Sequence, residues 1–364
     1  MQQETKTINE AKLQAFMGKV VEDLAATFSS AMVIIGDKLG LYKALAGAGP
    51  LTSAELAQQT ATTERYVREW LLNQAAGGYL EYDPETGRYR LPDEHALALA
   101  DEHSPVFVQG GFQTALAMLK AEPRIAESFR TGAGMPWGEH DAGLFVGTER
   151  FFGTLYAANL VSTWIPALHG VSAKLEAGAI VADIGCGHGA STILLAQAFP
   201  RSRFFGYDNH APSIERARQA AAEAGVTDRV MFERATATDY PSQGSGYDLI
   251  AFFDSFHDLG APIEVATHAS ATLAKEGTVL LVEPMAGEHI EDNLNPVGRL
   301  YSAASTLCCT PNALASGGIA LGNQATDQQL REVWHAGGLN GFRRAITTPF
   351  NRVFEVQAAR FYPL

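Results

Sequence analysis

The chain has 364 residues and a mass of 39.0 kDa, with 46% hydrophobic and 18% charged residues. That length suits two domains, or one large α/β domain with an appendage, and that composition excludes global disorder. Lys+Arg of 27 against Asp+Glu of 40 gives a net charge of −13 and a pI near 5.2, which excludes a bulk electrostatic pull toward nucleic acid or anionic lipid.

Met1 to Glu10 is polar and lacks the apolar core of a signal peptide. No window reaches the ~18 apolar residues of a bilayer span. A cytoplasmic protein with no membrane partner is therefore expected. Phe28, Met32, Ile35, Leu39, Leu41 and Leu45 follow helical spacing. Thr52-Ser53-Ala54-Glu55 is a capping box that opens a short helix, Ala54 to Gln59. After the Thr60-Ala61-Thr62 turn, Val67, Trp70, Leu71 and Ala75 share a face of a second helix, and Gly77-Gly78 ends it. Leu80–Asp83 and Arg88–Leu91 then flank Pro84-Glu85-Thr86-Gly87 as a β-hairpin. Helix, helix, hairpin is a winged helix-turn-helix, assigned to residues 1–100. It is the one local feature that points toward DNA. Its charges are balanced, however: Arg65 and Arg68 against Glu64 and Glu69, Arg88 and Arg90 against Glu81, Asp83 and Glu85. A DNA reader shows a basic excess, so no nucleic-acid partner is expected. Trp70 suits a dimer or roof contact.

Residues 101–174 read as a helical linker that lines a pocket. The loop Thr131 to Gly138 separates two helical stretches, the second running from about Thr148 to His169. Trp137 and Tyr156 are candidate substrate contacts, although aromatic residues at helical spacing also serve core packing. From about 175 strands and helices alternate, which predicts a parallel sheet. The strands expected are Ala179–Ile184, Arg203–Tyr207, Val230–Arg234, Asp248–Phe253, Thr278–Glu283, Phe342–Thr347 and Val353–Phe361. The turn Thr348-Pro349-Phe350-Asn351 makes the last pair antiparallel. The fold class is α/β, with a Rossmann-like sheet over residues 175–364 behind an α-rich winged-helix domain.

Asp183-Ile184-Gly185-Cys186-Gly187-His188-Gly189-Ala190 follows the first strand and opens its helix. Glycines permit the tight strand-to-helix turn and a close backbone approach to a nucleotide-type cofactor. Asp208 ends the next strand, where a carboxylate can accept both ribose hydroxyls. Gly185-x-Gly187-x-x-Ala190 also satisfies the dinucleotide fingerprint. Asp183, two residues before the first glycine, argues against NAD, because an acid there repels a pyrophosphate. S-adenosylmethionine has no phosphate and carries positive charge, so it suits an acidic loop. Three cysteines, two of them neighbours, supply no disulfide framework. Ten histidines without a His-x-x-x-His pair predict no metal site.

On these motifs the chain resembles the class I S-adenosylmethionine-dependent methyltransferases, over about residues 175–364, with their seven-stranded sheet and antiparallel last strand. The N-terminal part resembles a bacterial small-molecule methyltransferase group and the plant caffeic-acid-type O-methyltransferases. Glu283-Pro284-Met285-Ala286 through Glu291 to Pro296 looks particularly like the bacterial group. The resemblance implies a homodimer whose winged helix roofs the substrate pocket. It implies that Gly185 and Gly187 meet the methionine part of the cofactor, with Asp183 near the amino group. Asp208 would hold the ribose, with Asn209 beside the adenine. Thr236, with Ala237 after it, stands where many members have the aspartate that binds the adenine amino group. Phe253 would lie beside the cofactor. His257 matches the general base of the O-methyltransferases, and Glu283 the carboxylate that orients it. Tyr301 and Cys308 would face the active-site cleft. The expected activity is methyl transfer to a small molecule, to oxygen first and nitrogen next. The alternatives are a cofactor-sensing DNA-binding regulator, an NAD oxidoreductase, and a non-methylating enzyme that uses the same fold and cofactor.

Overall fold

The computed structural model describes residues 8–358. The chain falls into two compact units, one up to Leu116 and one from Ala117.

The first unit contains α1 (Glu10–Lys38), α2 (Leu41–Leu45), α3 (Ser53–Gln59), α4 (Glu64–Ala76), β1 (Glu81–Asp83), β2 (Arg88–Arg90), α5 (Asp93–Leu99) and the start of α6 (Gln109–Leu119). The predicted capping box forms: Thr52 Oγ1 accepts from Glu55 N at 3.3 Å, and Thr52 N donates to Glu55 Oε2 at 2.7 Å. The wing closes with Glu81 opposite Arg90. Val67, Trp70 and Leu71 of α4 pack on Val33, Tyr42, Leu45 and Leu56. This corrects one expectation. Trp70 is buried inside its own unit, donating Nε1 to Met32 O at 2.8 Å, and is neither a dimer nor a roof contact. Its ring and that of Tyr42 lie against Gly36, where an added Cβ would come within 2.6 Å of both. Gly36→Ala should therefore destabilise the unit. Better helix propensity returns roughly 1 kcal/mol, while overpacking against two rigid rings costs about 1–3 kcal/mol. A lower urea midpoint is the expected reading; a midpoint at or above that of the parent protein would refute the clash.

Along α1 another face stays outside this core. Leu13, Met17, Val21, Leu24 and Phe28 recur at helical spacing and are 46–73% exposed. None of the described helices is long and apolar enough to cross a membrane.

The second unit continues through α7 (Glu122–Thr131), α8 (Gly143–Asn159) and α9 (Val171–Ala177). The aromatic stretch expected to run as one helix to His169 is instead interrupted after Asn159 by a π-helical turn, Leu160–Trp164. The sheet then alternates with helices: β3 (Ile180–Ile184), α10 (Ala190–Ala198), β4 (Arg203–Asp208), α11 (Ala211–Glu223), β5 (Val230–Arg234), β6 (Tyr247–Phe253), α12 (Pro262–Thr272) and β7 (Leu273–Pro284). After α13 (Pro296–Ala304), α14 (Thr310–Ala315) and α15 (Asp327–Ala336), the antiparallel pair β8 (Gly341–Thr347) and β9 (Asn351–Gln357) closes the sheet. Of the strand expected over Val353–Phe361, the part from Ala359 lies outside the described residues.

Strand order is β5-β4-β3-β6-β7-β9-β8, with β9 antiparallel to both neighbours. The near-continuous apolar runs of β3, β6 and β7 are those of strands covered on both faces, and each face packs its own apolar cluster. The order reverses between β3 and β6. A crevice therefore opens at the carboxyl ends of β3, β4 and β6, where open α/β sheets hold their ligands.

Candidate active site

The crevice is a cleft enclosing about 1130 Å³ of non-atom space, part of it open to solvent. Three chain segments build its floor. The first is the glycine loop after β3. Gly185, Gly187 and Gly189 have φ of +74°, +52° and +81°, a region that side chains rarely adopt. Cβ atoms would collide at Gly185, with Ser255 at 2.8 Å, and at Gly189, with Phe232 at 2.4 Å. At Gly187 nothing lies within 4 Å, so that backbone faces open space.

Asp208, at the end of β4, is the second segment. Its Oδ2 accepts from Gly187 N at 3.0 Å and its Oδ1 from His210 N at 2.8 Å. Burial raises its pKa, and the two backbone donors oppose the rise. Asp208 thus holds the loop while its carboxylate faces the cleft. Asn209, Ala235 and Ala237 continue this wall.

The third segment follows β6: Phe253, Asp254, Ser255, then the 3-10 turn Phe256–Asp258. Asp254 is one of two described non-glycine residues with positive φ, at +50°, a conformation that costs about 1–3 kcal/mol and concentrates at functional sites. Its Oδ2 accepts from Tyr156 Oη at 3.2 Å and its Oδ1 from Asn351 Nδ2 at 2.8 Å. Burial, with Glu283 nearby, pushes its carboxyl up to about 7 against the opposing pull of His257 and Tyr156. Trp137, Phe145, Phe152 and Tyr156 form an aromatic wall. Glu149 of α8, which accepts at 2.8 Å from His188 of the glycine loop if that ring carries the Nδ1 proton, closes one end.

The expected site residues separate into two groups. Gly185, Gly187, Asp208, Asn209, Ala237, Phe253, Trp137 and Tyr156 line the one cleft. The others do not. Asp183 is buried behind the loop, its Oδ2 accepting from Ser191 Oγ and Thr192 Oγ1 at 2.6 Å each, its Oδ1 unpartnered. Burial pushes its carboxyl up to about 6, despite those two hydroxyls. Thr236 is exposed and donates to Asp239 Oδ1 at 2.7 Å, because that aspartate caps the turn after β5. Tyr301 turns to Phe350, donating Oη to its carbonyl at 2.8 Å. Cys308 is buried among Ala117, Leu144, Met118 and Trp137 as a small hydrophobe.

His257 is 3% exposed and lies behind the cleft wall. Its Nδ1 is 2.8 Å from Glu283 Oε2, and its Nε2 is 3.2 Å from Asp258 Oδ1. Burial works against the imidazolium, but Glu283 and Asp258 outweigh it and hold the pKa well above the ordinary histidine value. The donor atoms of His257, Asp258 and Cys309 lie within 4.8 Å of one another, close enough to share a metal ion. The ion pair of His257 with Asp258 accounts for part of that closeness. The Cys309 thiol itself is pushed up to about 12, by burial first.

Residues 27–101 match the Rv2258c-like winged HTH domain, and residues 175–333 match a methyltransferase domain. The chain is 33% identical over 107 residues to the 27-O-demethylrifamycin SV methyltransferase of Amycolatopsis mediterranei, an alignment spanning 29% of this chain and 39% of that enzyme. Likeness of fold is far more extensive. A putative O-methyltransferase of Nostoc punctiforme superposes with a TM-score of 0.71 over 97% of this chain and 100% of its own, at 22% identity. Human N-acetylserotonin methyltransferase, in complex with S-adenosylmethionine, gives 0.65 over 98% and 100%, at 16% identity. By its two domains and the order of its sheet, the chain belongs with the S-adenosylmethionine-dependent methyltransferases that carry an N-terminal winged helix.

Proposed function

We propose that the protein methylates a hydroxyl group of a small molecule, with S-adenosylmethionine as methyl donor. The observation that carries this reading is the make-up of the cleft. It joins a glycine loop and a ribose-type carboxylate to an aromatic wall. Among the described residues, Glu149, Asp208, Asp254 and Asp258 line it with no lysine or arginine. A pyrophosphate cofactor needs cations or a neutral cradle, and four carboxylates disfavour it. A cofactor that is cationic and lacks phosphate fits, and the open space over Gly187 leaves it room. That cofactor supplies an activated methyl group and a neutral thioether leaving group.

The remaining work falls to the chain. The backbone of Gly185 and Gly187 would bind the amino-acid end of the cofactor. Asp208 would accept from the ribose, and Asn209, Ala235 and Ala237 would flank the base. Asp183 acts from behind, tying the loop to the first turn of α10 through Ser191 and Thr192. Phe253 and Tyr156, with ring centroids 5.3 Å apart, close the floor on which the methyl group must meet its acceptor. Trp137, Phe145 and Phe152 suit a flat, apolar acceptor. Alignment of acceptor and methyl group is the larger source of rate in such a displacement, and removal of the hydroxyl proton adds roughly 10²–10⁴-fold. His257 fits the role of an electrostatic partner better than that of the base, since a base must be neutral and must reach the acceptor. Methyl transfer from labelled S-adenosylmethionine to a panel of phenolic and alcoholic acceptors tests the reading. Products should gain one methyl on oxygen. Gain on nitrogen alone, or a product without the methyl increment, would overturn it.

The same reading makes the protein a cytoplasmic homodimer that does not bind nucleic acid. The apolar stripe Leu13, Met17, Val21, Leu24, Phe28 on α1 is the surface for the second copy. Against DNA stand the ion pairs of the winged helix: Arg65–Glu69, Arg68–Glu64, Arg88–Glu55 and Arg90–Glu81 take up its basic side chains. Light scattering on the full chain should give twice the monomer mass. Leu24→Glu with Phe28→Glu should halve it, and an unchanged mass would place the interface elsewhere.

A further inference from the structure

We propose that Asp254 is the catalytic base, the side chain that accepts the proton of the acceptor's hydroxyl group. This rests on the methyl-transfer reading and assigns its proton. Two carboxylates that follow β6 line the cleft, Asp254 and Asp258; Asp258 lies against His257, its Oδ1 3.2 Å from Nε2, whereas Asp254 sits between the glycine loop and the aromatic wall. Its neighbour Ser255 touches the space above Gly185, so the two loops meet there. His257 is 3% exposed and is not part of the cleft lining, with Nδ1 2.8 Å from Glu283 Oε2 and Nε2 3.2 Å from Asp258 Oδ1.

Geometry is the second step. A left-handed backbone at +50° is an unusual conformation for a residue with a side chain, and it carries the Asp254 carboxyl into the cleft. Tyr156 from α8 and Asn351 from β9 each donate to one oxygen, which fixes the orientation. Each oxygen keeps a lone-pair direction free, since a carboxylate accepts about four hydrogen bonds. A base aimed by two donors, with capacity left for one more proton, is what a positioned base requires.

Charge is the third step. The titratable groups that face Asp254 are Glu283 on β7, His257 and Asp258 on its own loop, Tyr156 on α8 and Tyr301 on α13. Burial and the carboxylates favour its neutral form, while the imidazolium and Tyr156 favour the anion, and the balance falls at about 7. A carboxylate with that balance holds a proton far better than an ordinary aspartate and is still half ionised at neutrality. In the step itself the O–H proton passes to an Asp254 oxygen. The acceptor oxygen bonds the methyl carbon, whose bond to sulfur breaks with its electron pair staying on sulfur. The cation is consumed, and Asp254, now neutral, releases its proton to solvent as product leaves.

The test combines a rate with a titration. In wild-type protein kcat/KM should rise with pH through a limb near 7, because only ionised Asp254 can accept. Asp254→Asn should lower kcat/KM by about 100-fold or more and abolish that limb, with S-adenosylhomocysteine affinity within about threefold, since that thioether lacks the sulfonium charge that a cleft carboxylate attracts. Independently of turnover, infrared difference spectra of cofactor-free protein should show a carboxyl band titrating near 7 that Asp254→Asn removes. Should that variant not fold, Tyr156→Phe removes a donor that favours the anion, and the limb should move to higher pH. An Asp254→Asn protein within tenfold of wild type, a limb that survives or stays in place, or an unaltered carboxyl titration would each overturn the assignment. Wild-type protein that makes no methylated product would instead overturn the methyl-transfer reading, and the carboxyl titration would still report on Asp254.

Discussion

Asp208→Asn should weaken S-adenosylhomocysteine binding by about 10- to 100-fold and lower the thermal midpoint of the cofactor-free protein by several degrees. The side chain keeps its shape, so packing is not the cause. A carboxylate accepts on both oxygens, and Asp208 uses one for Gly187 N–H and the other for His210 N–H. An asparagine has one accepting oxygen and presents an N–H₂ to the other donor, so one of the two backbone groups faces a like partner. Charge-assisted hydrogen bonds contribute roughly 1.5–3 kcal/mol each, and tenfold in affinity is about 1.4 kcal/mol. Loss of one such bond within the loop, together with loss of the anionic acceptor for ribose hydroxyls, gives the expected range. The loop and Asp208 are half-buried, so the lost backbone bond also costs the cofactor-free protein roughly 1–3 kcal/mol. Calorimetric titration reads the affinity directly. Wild-type affinity in Asp208→Asn would mean that the ribose lies elsewhere and that the carboxylate serves only the loop.

Such a prediction can be made from sequence as well as from structure, and the reason is local. Glycine loop, ribose acid and strand ends are short-range features: periodicity places the strands, and the chemistry of a strand-to-helix turn places the glycines. Asp208, Gly185 and Phe253 therefore fell where the pattern put them in the sheet. Residues whose role depends on which way a side chain turns did not follow so simply. Thr236 sits at the expected position after β5, but Asp239, three residues on, captures its hydroxyl. Tyr301 and Cys308 follow the predicted strand, yet a helix and the π-helical turn Ser305–Cys309 direct one to Phe350 and bury the other. Trp70 reads as an apolar surface on a helical wheel and is instead the centre of its domain, because Gly36 leaves room for the ring. Asp254 is the clearest case. The sequence Asp254-Ser255-Phe256-His257-Asp258 draws attention to the His-Asp pair. The first aspartate takes a positive φ, which no spacing encodes, and lines the cleft, while the histidine lies outside the lining.

The largest stability effect should come from Asp327→Ala, a substitution outside the cleft. Arg352 on β9 is fully buried, yet each of its three side-chain nitrogens has an acceptor: Nε donates to Pro284 O at 2.9 Å, one terminal nitrogen to Asp327 Oδ1 at 2.8 Å, the other to Ala325 O at 2.8 Å. Its counter-charges are Glu283 and Asp327, and Asp327 is the one that accepts a hydrogen bond from it. Removal of Asp327 leaves a guanidinium that cannot deprotonate in a dry site with two carbonyls, which costs about 3–5 kcal/mol. For a unit of this size each kcal/mol is worth roughly 2–4 °C, so the thermal midpoint should fall by about 10 °C. Arg344 shares Asp327 from a partly exposed position, and Arg344→Ala should cost no more than about 1 kcal/mol. If both variants melted alike, the buried arginine would not be the origin of the effect. The consequence reaches the site through one peptide unit. Asn351, which holds Asp254, precedes Arg352, and Pro284, which accepts from Arg352, follows Glu283, which holds His257. Arg352 thus pins together the two strand ends that carry the partners of the cleft. Well below its midpoint, the Asp327→Ala protein should keep the pH limb of the parent enzyme, because no group that titrates against Asp254 has changed. On warming, activity and fold should be lost together, since the clamp that holds the strand ends is the one that the mutation releases.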